Sequence, residues 1–154
     1  MDPQDFTAPK RPVTRVFLHC SASDNPDHDD VSVMRQWHTS PPNNWADVGY
    51  HFFIKKDGTV QPGRDLENTP AAQAPHNTAS IAMCAHGLLI DKFTDVQLAA
   101  VKGLCEAINR AYDGKVTFHG HREVANKTCP VFDYKALLGL DDRGRMPLEP
   151  VPSV

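Results

Sequence analysis

Apolar residues in the first third of the chain follow two different periods, which predict a strand and then a helix. Residues 13–19 are dense in β-branched and aromatic side chains, as in a buried strand. In residues 31–38 the apolar side chains recur at the spacing of one helix face, and Pro41-Pro42-Asn43-Asn44 ends that pattern. Residues 1–12 contain three prolines and show no apolar period, so we expect a flexible arm.

The rest of the chain predicts a hairpin, two further strands and two helices. Asp57-Gly58, between two β-rich runs, is typical of a type I′ hairpin turn. Thr94-Asp95-Val96-Gln97 is a capping box that opens a long helix, and Gly139 is a stop signal after a short one. The predicted strands span residues 50–56, 59–61, 80–84 and 116–118, and the predicted helices span residues 94–112 and 132–138.

The order strand, helix, hairpin, strand, helix, strand, helix predicts an α/β fold. We expect a single-domain mixed β-sheet flanked by helices on both faces. A chain of 154 residues can bury one full hydrophobic core. The domain is expected to span residues 13–140 and to be followed by a tail, residues 141–154, whose three prolines predict flexibility.

The charge and hydropathy of the chain bear on its binding partners and on its location in the cell. The net charge of −3 gives no broad basic surface, so binding to nucleic acid is not expected. No apolar run approaches the length of a membrane span, and the acidic N-terminus lacks the apolar stretch of a signal peptide. We expect a monomer that is made and held in the cytoplasm, without membrane insertion, until another agent releases it.

The cysteines do not indicate a disulfide framework, because they have no CxxC spacing and no export signal precedes them. Cys84 and Cys105 are expected to be small buried apolar residues. Cys129 differs, because it lies in a polar segment just before Pro130. It is therefore the cysteine that we single out for a chemical role.

Two histidines and this cysteine form a candidate metal site. His19 ends the first predicted strand and His121 follows the last one, so both can converge at one edge of the sheet. With the Cys129 thiolate they give three ligands, the number that a catalytic zinc site takes from the protein. His119 is an alternative to His121, because residues two apart on a strand share a face. Cys20 is left out, because it points away from the face of His19.

A tyrosine and a lysine near these segments are candidate catalytic groups. Tyr50 opens the hairpin strand, and Lys127 lies two residues before Cys129. Their ordinary pKa values are about 10 and 10.4, so at neutral pH both donate protons and suit stabilisation of an oxyanion. Glu123 could orient a histidine, although its position also suits a charge at a helix start. No ligand role is expected for the loop and helix-end histidines His28, His38, His76 and His86.

These residues lie within a series of motifs that resembles one enzyme family. The stretches are FLHCSA (17–22), RQWH (35–38), DVGYHF (47–52), IKKDGTV (54–60), GRD (63–65) and HREVANKTCP (121–130). In this order they resemble the bacteriophage T7 lysozyme type of N-acetylmuramoyl-L-alanine amidase, within the type 2 amidase and peptidoglycan-recognition superfamily. With the flanking elements, the resemblance covers residues 13–138.

The resemblance implies a zinc ion held by His19, His121 and Cys129, with Tyr50 and Lys127 as catalytic partners. It selects His121 as the second histidine because the family's second histidine lies eight residues before the cysteine. The implied reaction is hydrolysis of the amide between N-acetylmuramic acid and L-alanine in bacterial peptidoglycan. The implied biological role is that of a phage or prophage endolysin, stored in the host cytoplasm until it is released to the cell wall.

One loop departs from the family's pattern, His-x-x-Gly-x-Asn-x-x-Ser-Ile-Gly. Ala72 replaces the histidine, Pro75 the first glycine and Ala82 the last glycine. The matching positions are Asn77, Ser80 and Ile81. Because this loop borders the substrate groove in the family, the departures affect the expected substrate contacts and leave the metal site unchanged.

Other functions of the same fold compete with this interpretation. The chain could be a non-catalytic binding protein that recognises peptidoglycan or, as the resemblance adds, inhibits a phage RNA polymerase. A recognition protein is expected to have lost the thiolate ligand, whereas Cys129 is present. A host enzyme that recycles wall fragments would share the same residues. A purely structural zinc module fits poorly, because structural sites usually take four ligands.

Overall fold

The computed structural model describes residues 1–148. Its strands are β1 (Arg15–Cys20), β2 (Phe52–Ile54), β3 (Val60–Pro62), β4 (Ser80–Ala85) and β5 (Thr117–Gly120). Its α-helices are α1 (Val31–Thr39), α2 (Asp95–Ala111) and α3 (Tyr134–Leu138). Every predicted strand and helix is present, and the predicted ends differ from the observed ones by at most two residues. Within residues 1–148, no helix is both long enough and apolar enough to cross a lipid bilayer.

The helix ends follow the predicted capping signals. The Thr94 hydroxyl accepts a hydrogen bond from the Gln97 backbone nitrogen at 3.1 Å, and the Gln97 side chain accepts one from the Thr94 nitrogen at 3.3 Å. This reciprocal pair satisfies two backbone donors that have no partner inside α2. Gly139 ends α3 in the left-handed conformation, with φ of 65°.

The strands form one mixed sheet in the order β3-β2-β4-β1-β5. β1 pairs in parallel with both β4 and β5, and β2 pairs in parallel with β4. The hairpin partners β2 and β3 are antiparallel. The predicted mixed sheet is therefore confirmed, with its first strand between β4 and the last strand.

Helices cover both faces of the sheet, as predicted. On one face, Leu18 and Met83 share an apolar cluster with Leu104 of α2. On the other face, Phe53 and Cys84 share a smaller cluster with Val31 and Met34 of α1. Successive side chains of a strand point to opposite faces. His19, which is in register with Cys84, therefore projects to the α1 side.

The hairpin is confirmed, but the predicted type I′ turn is wrong. A type I′ turn needs positive φ at both central residues. Gly58 has φ of 88°, whereas Asp57 is not among the residues with positive φ. The Gly58 nitrogen donates to the Lys55 carbonyl at 3.0 Å, and the Lys55 nitrogen donates to the Thr59 carbonyl at 2.9 Å. The loop is thus a three-residue turn that closes with a left-handed glycine.

The N-terminal segment, expected to be a flexible arm, makes specific contacts with the domain. The Phe6 ring lies 6.2 Å from that of Phe52 and 6.5 Å from that of Tyr112. The Arg11 guanidinium donates to the Ser80 carbonyl at 2.8 Å. Aromatic packing and charge-assisted hydrogen bonds hold residues 1–12 against the sheet, and the predicted flexibility stays a prediction.

The described part of the predicted C-terminal tail also packs on the domain. The Phe118 nitrogen donates to the Gly144 carbonyl at 2.7 Å, and the Asn109 side chain donates to the Met146 carbonyl at 3.2 Å. Met146 is itself buried in the core. Packing therefore continues past the predicted boundary at residue 140, because Met146 covers apolar surface. Residues 149–154 lie outside the described part of the chain.

Candidate metal centre and active site

Parallel pairing of β1 with β5 brings two histidines together. Leu18 is in register with Gly120, so the residues that follow them lie at the same edge of the sheet. His19 is still part of β1, and His121 begins a short 3-10 helix. The two Nδ1 atoms lie 3.2 Å apart.

The third donor comes from the loop that follows this short helix. The Sγ atom of Cys129 accepts a hydrogen bond from the backbone nitrogen of Cys20 at 2.8 Å. One ligand atom from each of His19, His121 and Cys129 lies within 4.8 Å of the other two. The structure therefore brings together the three predicted ligands from three separate segments.

This donor set fits a zinc ion. Zinc binds imidazole nitrogen and thiolate sulfur in tetrahedral geometry, with bond lengths of about 2.0–2.3 Å. Those lengths place neighbouring donor atoms about 3.3–3.7 Å apart. The 3.2 Å separation of the two Nδ1 atoms is close to this range. Because all three donor atoms lie within 4.8 Å of one another, small side-chain movements would bring them to zinc-binding distances. Three protein donors leave a fourth position open, as in catalytic sites.

Both imidazoles are neutral at physiological pH, which is the form that binds a metal. Burial, with a smaller contribution from the neighbouring His121, lowers the pKa of His19 to about 3. Burial is also the main cause that lowers the pKa of His121, followed by the ammonium group of Lys127. His19 is fully buried, whereas His121 is half-buried and faces the open side of the site.

Tyr50 lies beside the metal ligands, just before β2. Its ring lies 5.2 Å from that of His19 and 5.5 Å from that of His38. The Gly49 nitrogen donates to the His38 Nδ1 atom at 2.9 Å, which fixes the backbone next to Tyr50. Burial raises the pKa of the Tyr50 hydroxyl well above its ordinary value. The group therefore stays protonated and can act as a hydrogen-bond donor.

A cleft of about 280 Å³ opens beside the donor atoms. Its walls include Tyr50, His121, Lys127 and Cys129, with Leu88 as an apolar part. Lys127 is exposed and forms no ion pair within residues 1–148. Both proposed catalytic donors thus face the same space as the candidate metal ligands.

His119, the alternative ligand, belongs to a different set of contacts. Its Nδ1 atom lies 3.0 Å from a Glu123 carboxylate oxygen, and its Nε2 atom lies 2.7 Å from the Thr117 hydroxyl. The other Glu123 oxygen accepts from the Gly120 nitrogen at 2.9 Å and from the Tyr134 hydroxyl. Glu123 therefore caps the short helix that carries His121 and contacts none of the three candidate ligands among the described hydrogen bonds.

The other histidines and cysteines named in the sequence lie outside the donor cluster. Cys84 and Cys105 are fully buried, as expected. Cys20 is also buried in the core, and its backbone nitrogen donates to the Cys129 Sγ atom. The four histidines without an expected ligand role have other partners. These include Ser23 for His28, Gly49 for His38, Arg15 for His76, and Ser21 for His86.

Sequence reasoning missed two buried polar residues, and the first of them contacts a candidate ligand. The Gln73 side chain is 1% exposed, and its Oε1 atom lies 2.8 Å from the His19 Nε2 atom. His51 is equally buried, and its Nδ1 atom accepts from the Ala82 nitrogen at 3.1 Å. Gln73 occupies a position that the family pattern leaves open, and His51 lies in the stretch DVGYHF with no role assigned to it, so sequence reasoning identified neither contact.

Comparison with known proteins identifies a family and several relatives of this chain. Residues 9–132 match the family described as N-acetylmuramoyl-L-alanine amidase. The endolysin of Escherichia phage T7 is 40% identical over 126 residues, which cover 78% of this chain and 82% of that protein. The endolysin of Enterobacteria phage T3 is 38% identical over 133 residues, which cover 82% of this chain and 86% of that protein.

Solved structures show the same fold at lower sequence identity. The endolysin N-acetylmuramoyl-L-alanine amidase LysCS from Clostridium intestinale has a TM-score of 0.73 and 19% identity, over 88% of this chain and 90% of that one. The peptidoglycan recognition protein SD of Drosophila has a TM-score of 0.65 and 24% identity, over 80% of this chain and 77% of that one. Because the family match spans more than half of its length, the chain belongs to the N-acetylmuramoyl-L-alanine amidase family.

Proposed function

We propose that this protein is a zinc-dependent amidase that hydrolyses the bond between N-acetylmuramic acid and L-alanine in bacterial peptidoglycan. The observation that carries the proposal is the cluster of His19, His121 and Cys129 donor atoms within 4.8 Å of one another beside an open cleft. Family membership and the phage endolysins among its relatives support the choice of substrate.

Three residues are proposed to bind zinc, and two others are proposed to stabilise the transition state. His19, His121 and Cys129 would hold the zinc ion. When bound, zinc supplies a Lewis acid and an activated water at neutral pH. The Tyr50 hydroxyl and the Lys127 ammonium face the cleft as donors for the oxygen of the scissile amide, where negative charge develops in the transition state. Lys127 can also give a proton to the leaving amine.

The biological role that we propose is that of an endolysin. Such an enzyme stays in the host cytoplasm until it is released and then acts on the cell wall. Endolysins of phages T7 and T3 match most of this chain, which supports the role. A phage RNA polymerase as a second partner and a monomeric state stay predictions.

Digestion of purified peptidoglycan tests the reaction. We expect new L-alanine N-termini to appear in proportion to the protein added, and we expect a chelator to stop their release. A matched sample of the Cys129→Ser variant controls for contaminating hydrolases. Binding to peptidoglycan without release of L-alanine N-termini would contradict the amidase proposal and favour the recognition protein of the same fold.

A further inference from the structure

The buried amide of Gln73 faces the imidazole of a candidate metal ligand. Its Oε1 atom lies 2.8 Å from the His19 Nε2 atom, on the side of the ring away from the other donors. The Nδ1 atom of the same ring lies 3.2 Å from the His121 Nδ1 atom. Gln73 is 1% exposed and His19 is 1% exposed, so water does not compete freely for this contact.

The direction of the Gln73 amide follows from its other contacts. Its Nε2 atom lies 2.8 Å from the Ser80 hydroxyl oxygen. The Ser80 hydroxyl itself donates to the Asn77 carbonyl at 2.7 Å, and a carbonyl can only accept. Because the single hydroxyl proton is used there, Ser80 must accept from the Gln73 nitrogen. The same nitrogen also points at the His76 carbonyl, at 3.4 Å.

This chain of hydrogen bonds determines which ring nitrogen of His19 carries the proton. With the amide nitrogen committed to Ser80, the amide oxygen faces His19 and can only accept. The His19 Nε2 atom must therefore be protonated, and the Nδ1 atom then presents its lone pair toward His121 and Cys129. Since both protein partners are buried, the alternative tautomer would leave two acceptors facing each other.

We infer that Gln73 is a positioning residue for the metal site: it fixes the tautomer and ring orientation of His19 so that Nδ1 binds the ion. The inference rests on the proposed zinc site. Partners of this kind typically change metal affinity by about 10- to 100-fold. The backbone of Gln73 is itself held, because its nitrogen donates to the Asn77 side chain at 2.9 Å. The loop that departs from the family pattern thus supplies its own support for His19.

The tautomer can be measured on the metal-free protein by a long-range ¹H–¹⁵N correlation spectrum of the histidine rings. We expect wild-type His19 to carry its proton on Nε2. In Gln73→Met, which removes the acceptor at similar volume, we expect a mixture of tautomers and zinc affinity lower by about 10- to 100-fold. Gln73→Glu keeps an acceptor for the His19 Nε2–H group and should restore the tautomer and the zinc affinity, while the Ser80 hydroxyl turns from the Asn77 carbonyl to donate to the new carboxylate. A wild-type His19 protonated on Nδ1 would overturn the inference without any variant.

Gln97→Met is the matched control, because Gln97 is also fully buried and its amide donates to two backbone carbonyls away from the cleft. It should lower stability and leave zinc affinity and the His19 tautomer unchanged. Equal zinc affinity in wild type and Gln73→Met would also refute the inference. A protein with the expected tautomer that releases no L-alanine would refute the proposed reaction and leave the role of Gln73 supported.

Discussion

The backbone nitrogen of Cys20 donates a hydrogen bond to the Sγ atom of Cys129 at 2.8 Å. Cys20 directly follows the candidate ligand His19, so this contact positions a second candidate ligand, Cys129. A backbone N–H that donates to sulfur favours the thiolate, the form that binds a metal. The end of β1 therefore contributes twice to the site, through the ring of His19 and through the backbone of its neighbour.

Removal of the metal should abolish activity and preserve the fold. The main core is formed by apolar residues of the sheet, α2 and α3, and of the three candidate ligands only Cys129 packs against its edge. We expect a chelator to stop release of L-alanine while the far-UV circular dichroism spectrum stays native-like. Added zinc should restore the activity. Loss of the spectrum on chelation would instead show that the metal is structural.

Substitution of each candidate ligand should remove both zinc and activity. We expect His19→Ala, His121→Ala and Cys129→Ser to lose stoichiometric zinc, because two donors hold the ion far less tightly than three. Zinc content after dialysis, measured by atomic emission, and amidase rate report the two losses.

Two neighbouring residues offer matched controls for these substitutions. His119→Ala removes a histidine two positions before His121, and Cys20→Ser keeps the backbone nitrogen that donates to Cys129. Both should retain zinc and most of the activity. If His119→Ala alone stripped the metal, the assignment of the second histidine would be wrong.

Tyr50 and Lys127 should matter for turnover and not for metal binding. Tyr50→Phe removes only a hydroxyl, and Lys127→Met removes a charge at similar volume. Because their contacts with the oxyanion form chiefly in the transition state, we expect kcat to fall by about 100- to 1,000-fold in each variant. Zinc content and initial rates on one defined muropeptide measure the two properties. Wild-type kcat at full zinc content would show that neither residue is catalytic.

His51 should make the stability of the protein fall in mild acid. Burial is the main cause that lowers its pKa from 6.5 to about 4 in the folded state. Between these values the unfolded chain binds more protons than the folded protein, so stability is complete above about pH 6.5 and is lost as the pH falls toward 4. At 1.36 kcal/mol per pKa unit, the loss from His51 approaches about 3 kcal/mol.

Urea unfolding of the metal-free protein at several pH values tests this expectation. His51→Asn should be less stable than wild type at neutral pH, because the ring accepts from the Ala82 nitrogen and its Nε2 atom lies 2.8 Å from the Asn68 carbonyl. Its stability should nevertheless fall less steeply in acid. Parallel pH profiles for the two proteins would mean that His51 does not control the acid response.

Gly49 should tolerate no side chain. A Cβ atom at this position would lie 2.2 Å from the Ala71 carbonyl oxygen, which is backbone and cannot rotate away. We expect Gly49→Ala to destabilise the protein by about 1–3 kcal/mol and to lower activity, because Tyr50 is the next residue. Gly103→Ala is the control, since within residues 1–148 no atom other than those of its chain neighbours and its own helix backbone lies within 4 Å of its Cβ position in α2. It should raise stability by about 1 kcal/mol.

The elements and the donor set could be predicted because each has a local signal. The apolar run of β1 and the capping box at Thr94 depend on residues adjacent in sequence. His19 at a strand end and Cys129 in a polar segment could be proposed as ligands because they are chemically distinctive, whereas the choice of His121 over His119 came from the family resemblance. The turn at Asp57-Gly58 was mispredicted because the same dipeptide fits two loop lengths, and the structure uses the longer one.

Other features depend on distant contacts that a single sequence does not reveal. The packing of Phe6 on Tyr112 and the burial of Met146 come from apolar residues in proline-rich segments that have no period. The role proposed for Gln73 depends on the direction of an amide, which the Ser80 hydroxyl sets only after the loop has folded. Sequence reasoning cannot supply such directions, because they follow from the complete network of donors and acceptors.

The position of β1 between β4 and β5 has a consequence during translation. His19 leaves the ribosome early, whereas His121 lies 102 residues later in the chain. A nascent polypeptide that ends before β5 contains one of the three donors and exposes an unpaired edge of β1. It cannot complete the sheet. If the proposed zinc site is correct, such a product would also lack two of its three ligands, so metal binding would require nearly the whole polypeptide.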